Sequence, residues 1–406
     1  MINDKLLILA CISLMMPSVF VYALGEATYD PNTQQLILPD VKVSSGDPSK
    51  PLRYEVEMQM EDNPDKMSFT VIKVSERGIE GPFLRRIRER GSLLCGKRTD
   101  SLAGFSYDCS DGSPCGFDID LCRAVAAAVL DSSEGPIQPI TVSSEQRAIK
   151  LQQADVDMLS RNTSWTSSRD ARWGHFTWIM FYDGQGFMVR RDSGITTLAE
   201  LNGKSICVVP GTTSHHHLKD AFARRGLQFT LVSGSEISEI ISLYLEGKCD
   251  AVTTDKSGLA AKRAGFFDRD NHDILDITIS KEPLTPIVPS GDEQWLDIVK
   301  MVMFGLINAE ELGITQANVD SMMNNENPEV RRLLGVEKDS SDQAISDFGQ
   351  ETLGLKKGAI AQAIRAVGNY GEIYERHLGE NGVKIPRGLN KLWREEGGLI
   401  YAPPMR

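Results

Sequence analysis

Val156-Asp157-Met158-Leu159-Ser160-Arg161-Asn162-Thr163-Ser164-Trp165-Thr166-Ser167-Ser168-Arg169-Asp170 joins a short apolar run to a polar loop. Val156 to Leu159 reads as a buried strand, so the loop sits at the carboxyl end of a sheet, where open α/β sheets collect ligands. The loop offers hydroxyls, backbone N–H groups and the Arg169 guanidinium, which can grip a carboxylate with two parallel bonds. On composition alone, a solvated turn with a surface arginine is the slightly favoured reading.

Moving outward, the same alternation of strand and helix continues on both sides. Leu93-Leu94-Cys95 and Ile137 to Val142 read as strands. Between them, Asp118 is expected to cap a helix whose apolar face is Cys122, Val125, Ala126, Val129 and Leu130. Ser144 is expected to cap the helix carrying Ile149 and Leu151. After residue 185 the pattern restarts: strand Ser205 to Val209, a helix from Thr212, strand Phe229 to Val232, a helix from Ser235, strand Ala251-Val252, and a helix near Lys256. Two successive units of this kind predict an α/β protein of two doubly wound lobes, with a ligand cleft between them. Two further segments can meet a ligand there. Gly211-Thr212-Thr213-Ser214 leads a strand into a helix, whose N-terminal N–H groups hold anions or serve as a plain cap. Asp255 ends a strand, where its carboxylate can hold an ammonium ion or cap the next helix.

The ends differ from the centre. Residues 24–80 read as a small β appendage, with strand-like runs Gln35 to Leu38, Tyr54 to Met58 and Phe69 to Ile72. Residues 292–406 read as mostly helical. One helix is expected to carry Ile360, Ile364, Val367, Tyr374 and Leu378, and Glu337 to Gly349 reads as a polar loop. At the N-terminus, Lys5 precedes an apolar run from Leu6 to Val21, broken by Ser13, Pro17 and Ser18 and ending in Val21-Tyr22-Ala23. That is the pattern of a cleaved secretion signal over residues 1–23. The run falls short of the ~20 apolar residues a membrane anchor needs. Lipid attachment at Cys11 has too little apolar sequence before it.

The chain has 406 residues, enough for two or three domains, and a net charge of −12, which excludes a nucleic-acid partner. Removing the leader takes Cys11 away and leaves six cysteines, an even number that suggests disulfides in an exported chain. Cys109 and Cys115 flank a turn-rich loop. Cys207 and Cys249 each sit beside a strand in the same later segment. Cys95 and Cys122 are left for each other. No cysteine pair has the spacing of a zinc knuckle, and His215-His216-His217 points in three directions from a helix, so no metal or cofactor is expected.

Several long runs in fixed order resemble a known family. They include Gly116-Phe117-Asp118-Ile119-Asp120-Leu121-Cys122-Arg123-Ala124, Leu159 to Thr163 with Arg169-Asp170, Phe181 to Val189, Thr253 to Ala261, Gln294 to Val299, Asn308 to Val319 and the ending Tyr401 to Arg406. From about Gly91 to Arg406 the chain is similar to the general amino-acid-binding subfamily of periplasmic solute-binding proteins. The resemblance implies the type II periplasmic-binding-protein fold, with residues 81–187 and 281–406 in the first lobe and its helical extension, and 188–280 in the second. It implies that Arg169 pairs with the α-carboxylate of a free L-amino acid and Asp255 with its α-ammonium. Asn162, Ser164, Thr212 and Thr213 would add bonds, Ser106 would line the pocket, and Trp165 or Phe105 would stack on the side chain. Crossings near Gln185-Gly186-Phe187 and Ile279 to Pro286 would act as the hinge. A monomeric periplasmic protein serving the permease subunits of an ABC transporter follows, with no catalysis. An enzyme such as a dehydratase on the same scaffold, or a sensor, are the alternatives. The β appendage departs from the family layout, and its role would be to dock an envelope partner.

Overall fold

The computed structural model describes residues 80–336 and 350–405 throughout, and the backbone of five strands between residues 21 and 76. Residues 1–20 of the expected leader and the polar loop at 337–349 lie outside the described residues. The five N-terminal strands form one antiparallel sheet. Gln35–Val43, Leu52–Met60 and Phe69–Glu76 follow one another across it, and Val21–Ala23 and Thr28–Asp30 share the free edge of Gln35–Val43. All three runs expected as strands fall inside these longer ones, and the residues expected at the cleavage site, Val21-Tyr22-Ala23, form a strand of their own.

The two lobes share one plan. In the first, the sheet order is Ile137–Val142, Leu93–Arg98, Met158–Leu159, Ile287–Val288 and His175–Phe176. In the second it is Thr230–Ser233, Ser205–Val208, Ala251–Asp255, Gln185–Arg190 and His272–Ile274. The first three strands of each sheet are parallel and the fourth runs against them. That fourth strand is, in each lobe, the one the chain makes just after crossing over. The near-continuous burial of Leu93–Arg98 and Gln185–Arg190 is what a sheet covered on both faces requires.

The crossing itself is a two-stranded antiparallel ribbon, Phe181–Asp183 with Glu282–Leu284. It lies just before the expected Gln185-Gly186-Phe187, which belongs to the second-lobe sheet, and inside the expected Ile279 to Pro286. Two strands side by side can twist together, so this ribbon is the element able to change the angle between lobes.

Helix boundaries show where local signals misled. The helix expected to start at Asp118 runs Phe117–Leu130 from Gly116, whose φ of 126° is left-handed territory. A Cβ there would lie 2.2 Å from the Phe105 carbonyl oxygen, so only glycine fits. Asp118 is instead buried and accepts from the Ser160 hydroxyl at 3.4 Å. Similarly, Ser144 caps nothing: the next helix is Arg147–Gln152. The single helix expected from Ile360 to Leu378 is two, Ala359–Val367 and Tyr370–His377. Gly368 ends the first with φ 81°, and Asn369 with Glu372 closes a capping box on the second. Both pack on the first lobe, against Phe117–Leu130 and Glu293–Glu311.

The three disulfides join Cys95 to Cys122, Cys109 to Cys115 and Cys207 to Cys249, with Cα separations of 6.0, 5.7 and 5.8 Å. The first ties a central strand of the first lobe to its longest early helix.

Candidate functional site

A cavity lies between the lobes and spans about 600 Å³, including space open to solvent. The first lobe contributes the loop after strand Met158–Leu159, as that strand's position at the carboxyl end of the sheet requires. Asn162 and Ser164 line the cavity from this loop. Asn162 holds a positive φ of 45°, and its buried Oδ1 has no hydrogen-bond partner among the described residues. Arg169 follows on a short helix, Ser167–Asp170, capped by the Thr166 hydroxyl. Its guanidinium donates to the Ser164 carbonyl at 3.0 Å and lies 4.6 Å from the Trp173 ring centre. Burial lowers its pKa, and Glu282 and Asp255 oppose that shift.

The second lobe contributes helix Thr213–Ala223, capped by Thr212, with Thr212, Thr213 and Ser214 at the cavity wall. Asp255 ends the strand Ala251–Asp255 and lines the same cavity. Burial first, then the charges of Glu282 and Asp183, hold its carboxyl well above the usual range, and Arg169 and Arg98 act against them. A cation next to Asp255 would relieve this penalty.

Of the expected site residues, Arg169, Asp255, Asn162, Ser164, Thr212 and Thr213 come together here. Ser106, Phe105 and Trp165 do not line this cavity. Phe105 packs edge-on against Phe117 and Phe181, with centroids 6.3 and 5.4 Å apart. Ser106 is buried beside it. Trp165 stacks on Phe176 at 5.7 Å. The sequence reading also missed three arginines, Arg98, Arg147 and Arg161, and one carboxylate, Glu236, that line the cavity. Arg161 stood in plain view within the loop, two residues after the strand.

The site is strapped to the hinge. Thr285 donates its N–H to the Thr163 carbonyl at 3.0 Å, and Trp165 donates to the Pro283 carbonyl at 2.9 Å. On the other side, Gln185 pairs with Asp255, and Lys256 donates to the Gly184 carbonyl at 2.8 Å. Asp183 and Glu282 face each other across the ribbon. His217, the last of the three histidines, places Nδ1 2.8 Å from Glu282 Oε1. Among the described residues no cluster of histidine, cysteine, aspartate and glutamate could hold a metal.

The lobes also touch directly along the cavity rim. Glu236 accepts from the Ser144 N–H at 2.5 Å, the Ser144 hydroxyl at 2.9 Å and Arg161 at 3.3 Å. Asp100 accepts from the Ser238 N–H at 3.1 Å and its hydroxyl at 2.8 Å. Lys262 donates to the Ser101 carbonyl at 2.6 Å.

Comparison with known proteins gives the chain its family. The chain is 43% identical over 339 residues to the general L-amino acid-binding periplasmic protein AapJ of Rhizobium johnstonii, covering 83% of this chain and 96% of that one. It is 41% identical to the glutamate/glutamine/aspartate/asparagine-binding protein BztA of Rhodobacter capsulatus, over 79% and 92% of the two chains. A solved ABC-transporter periplasmic binding protein from Brucella ovis, with glutathione bound, superimposes with a TM-score of 0.75 at 41% identity, over 80% of this chain and all of that one. Residues 98–380 match the family model of these proteins, and the chain belongs to the bacterial extracellular solute-binding proteins, family 3.

Proposed function

We propose that the protein captures free L-amino acids in the periplasm and delivers them to the permease subunits of an ABC transporter. One observation carries the reading: a single interlobe cavity holds a buried guanidinium, Arg169, on one lobe and a half-buried carboxylate, Asp255, on the other. These are the counter-charges of the two ends of a zwitterion. A ligand bound to both lobes stabilises their closed arrangement, and that shape is what a permease recognises. The two curated relatives named above are amino-acid-binding by name, which supports the ligand class. No bond is made or broken in this reading. It takes the protein as a monomer, with the N-terminal sheet docking an envelope partner.

Melting the purified protein against a panel of free L-amino acids tests the reading. Binding to the folded state raises the melting temperature with ligand concentration. Arg169→Ala should move the shift to at least ~30-fold higher ligand concentration, because truncating one partner of a buried charge pair costs ~2–5 kcal/mol. A panel with no shift overturns the function, and an unchanged concentration dependence in Arg169→Ala overturns the site.

A further inference from the structure

The C-terminal segment past helix Tyr370–His377 takes hold of the crossover ribbon. Asn390 is 3% exposed and lies against strand Phe181–Asp183. Its side-chain amide does there what a neighbouring strand would do: Oδ1 accepts from the Tyr182 N–H at 2.6 Å, and Nδ2 donates to the Tyr182 carbonyl at 3.1 Å. Tyr182 stands opposite Pro283 in the ribbon, and a proline has no N–H to give that carbonyl. Asn390 is itself anchored. Arg387 donates from Nε to the Asn390 carbonyl at 3.1 Å, forms a two-point pair with Glu310 of helix Glu293–Glu311, and lies over the Tyr370 and Tyr374 rings at 5.4 and 5.2 Å. The Tyr370 hydroxyl donates to the Met180 carbonyl at 3.0 Å, one residue before the ribbon. These anchors all belong to the first lobe and its helical extension.

The second ribbon strand is fixed to the first lobe too, by the bonds from Trp165 to the Pro283 carbonyl and from Thr285 to the Thr163 carbonyl. The second lobe takes hold only further along. Lys256 donates to the Gly184 carbonyl at 2.8 Å, and Ile279 donates to the Gln185 carbonyl at 3.0 Å. Between the two sets of holds lie only Asp183 on one strand and Ser280, Lys281 and Glu282 on the other. A stiff body on each side leaves rotation to the dihedrals in between. We propose that Asn390 is a positioning residue for lobe closure: it locks the ribbon to the first lobe at Tyr182 and so confines the pivot to Asp183 and residues 280–282. With ligand bound, the rim contacts hold the lobes together whether or not the ribbon is braced. With the cleft open, the brace limits how far the ribbon twists. Asn390 therefore narrows the open ensemble, which lowers the entropy lost on closing and tightens the binding of every ligand alike. It does not line the cavity, so it acts through the ribbon rather than on the ligand. The inference rests on the hinge-closure reading above and goes beyond it.

The experiment measures the distance between lobes by pulsed electron resonance. Spin labels go on cysteines introduced at two exposed positions, Gln153 on the first lobe and Arg224 on the second. The full chain is measured without ligand and with saturating L-glutamate, L-glutamine or L-leucine, and calorimetry gives Kd for each. Two variants are compared with the unaltered protein, Asn390→Ala and Trp393→Ala. Trp393 lies in the same C-terminal segment, is 48% exposed and donates to Glu311 at 3.1 Å, away from the ribbon. Asn390→Ala should broaden the ligand-free distance distribution, leave the ligand-saturated one unchanged, and raise Kd ~3-fold for each amino acid that binds. Trp393→Ala should do none of these. An unchanged ligand-free distribution in Asn390→Ala overturns the proposal. So does broadening in the saturated protein as well, or equal broadening by Trp393→Ala, since either marks a loosened extension rather than a freed pivot. If none of the three amino acids narrows the distribution of the unaltered protein, the amino-acid reading fails, while the ligand-free comparison still decides the brace.

Discussion

Lys262 is the cleanest place to test whether the rim contacts set affinity. Its ammonium reaches across the cleft from the second lobe, donating to the Ser101 carbonyl at 2.6 Å and standing 3.7 Å from Asp100. It does not line the cavity, so it touches no ligand. Lys262→Met keeps the stem and removes the charge. A hydrogen bond from a charged donor contributes about 1.5–3 kcal/mol when buried. The two side chains keep 16% and 13% of their surface exposed, and solvent there screens the pair, so about 1 kcal/mol is the expected loss. These contacts exist only when the lobes meet, so the loss falls on the closing equilibrium, and 1 kcal/mol is ~5-fold in the closed population. Apparent affinity scales with that population. Titration calorimetry should therefore show Kd rising ~5-fold, and by the same factor for every amino acid that binds. Solution scattering should show a larger mean radius without ligand. A Kd within ~1.5-fold of the unaltered protein, or a change confined to one ligand, would refute the argument.

Two other predictions concern stability. Burial first, then its place opposite Glu282, pushes Asp183 up to about 6 from its ordinary 3.8. Between those values the folded protein binds a proton that the unfolded chain releases, so the stabilisation is complete below 3.8 and lost as pH rises through about 6. The ligand-free melting temperature should rise as pH falls across that window, while the extra stabilisation from an amino acid shrinks, because its ammonium needs Asp255 ionised. A pH series of melts with and without ligand checks this; a ligand-free midpoint that falls across the window is the contrary result. The Cys207–Cys249 bond closes a separation of 42 residues and Cys109–Cys115 one of 6. Loop-closure entropy assigns them about 4 and about 2 kcal/mol. Denaturant unfolding of the two double serine variants should follow that order, and the reverse order would count against an entropic origin.

The fold was legible because its signals are local and repeated. Each strand of the two central sheets is a short apolar run with turn residues around it, and the lobes repeat one order of elements. The charged ends of the proposed site were less so: Arg169 stands in a loop beyond a strand and Asp255 at a strand's last residue, but composition alone favoured a surface turn for Arg169, and the paired ligand roles came from the resemblance to a family. What the sequence hid is which face a short element turns inward. Helix Arg147–Gln152 holds six residues, and its apolar Ile149 and Leu151 suggested the buried side. Leu151 is buried, but Ile149 is 44% exposed while Arg147 is 5% exposed. Two apolar residues cannot specify a face, and a cavity rewards an inward arginine that periodicity counts as polar. Glu236 was invisible for another reason. Its partners, Ser144 and Arg161, lie 92 and 75 residues away on the other lobe. Phe105 and Trp165 were read as ligand stackers, yet each finds aromatic neighbours in the first lobe and serves packing there.

The strand exchange at the crossover ribbon also dictates an order of assembly. Residues 184–281 build the second lobe from one unbroken stretch, including its reversed strand. The first lobe cannot do this. Ile287–Val288 must slot between Leu159 and His175–Phe176, and Trp295 must then donate to the Asp157 carbonyl at 2.8 Å. Until about residue 295 is available, the first sheet is split, with Leu159 and Phe176 as unpaired edges. Such pairings across more than a hundred residues make for high contact order and slow folding. As the chain emerges N-terminus first, the half-built first lobe is the stage most exposed to edge-to-edge aggregation, and the Cys95–Cys122 bond, whose residues both precede the gap, can hold that half together while it waits.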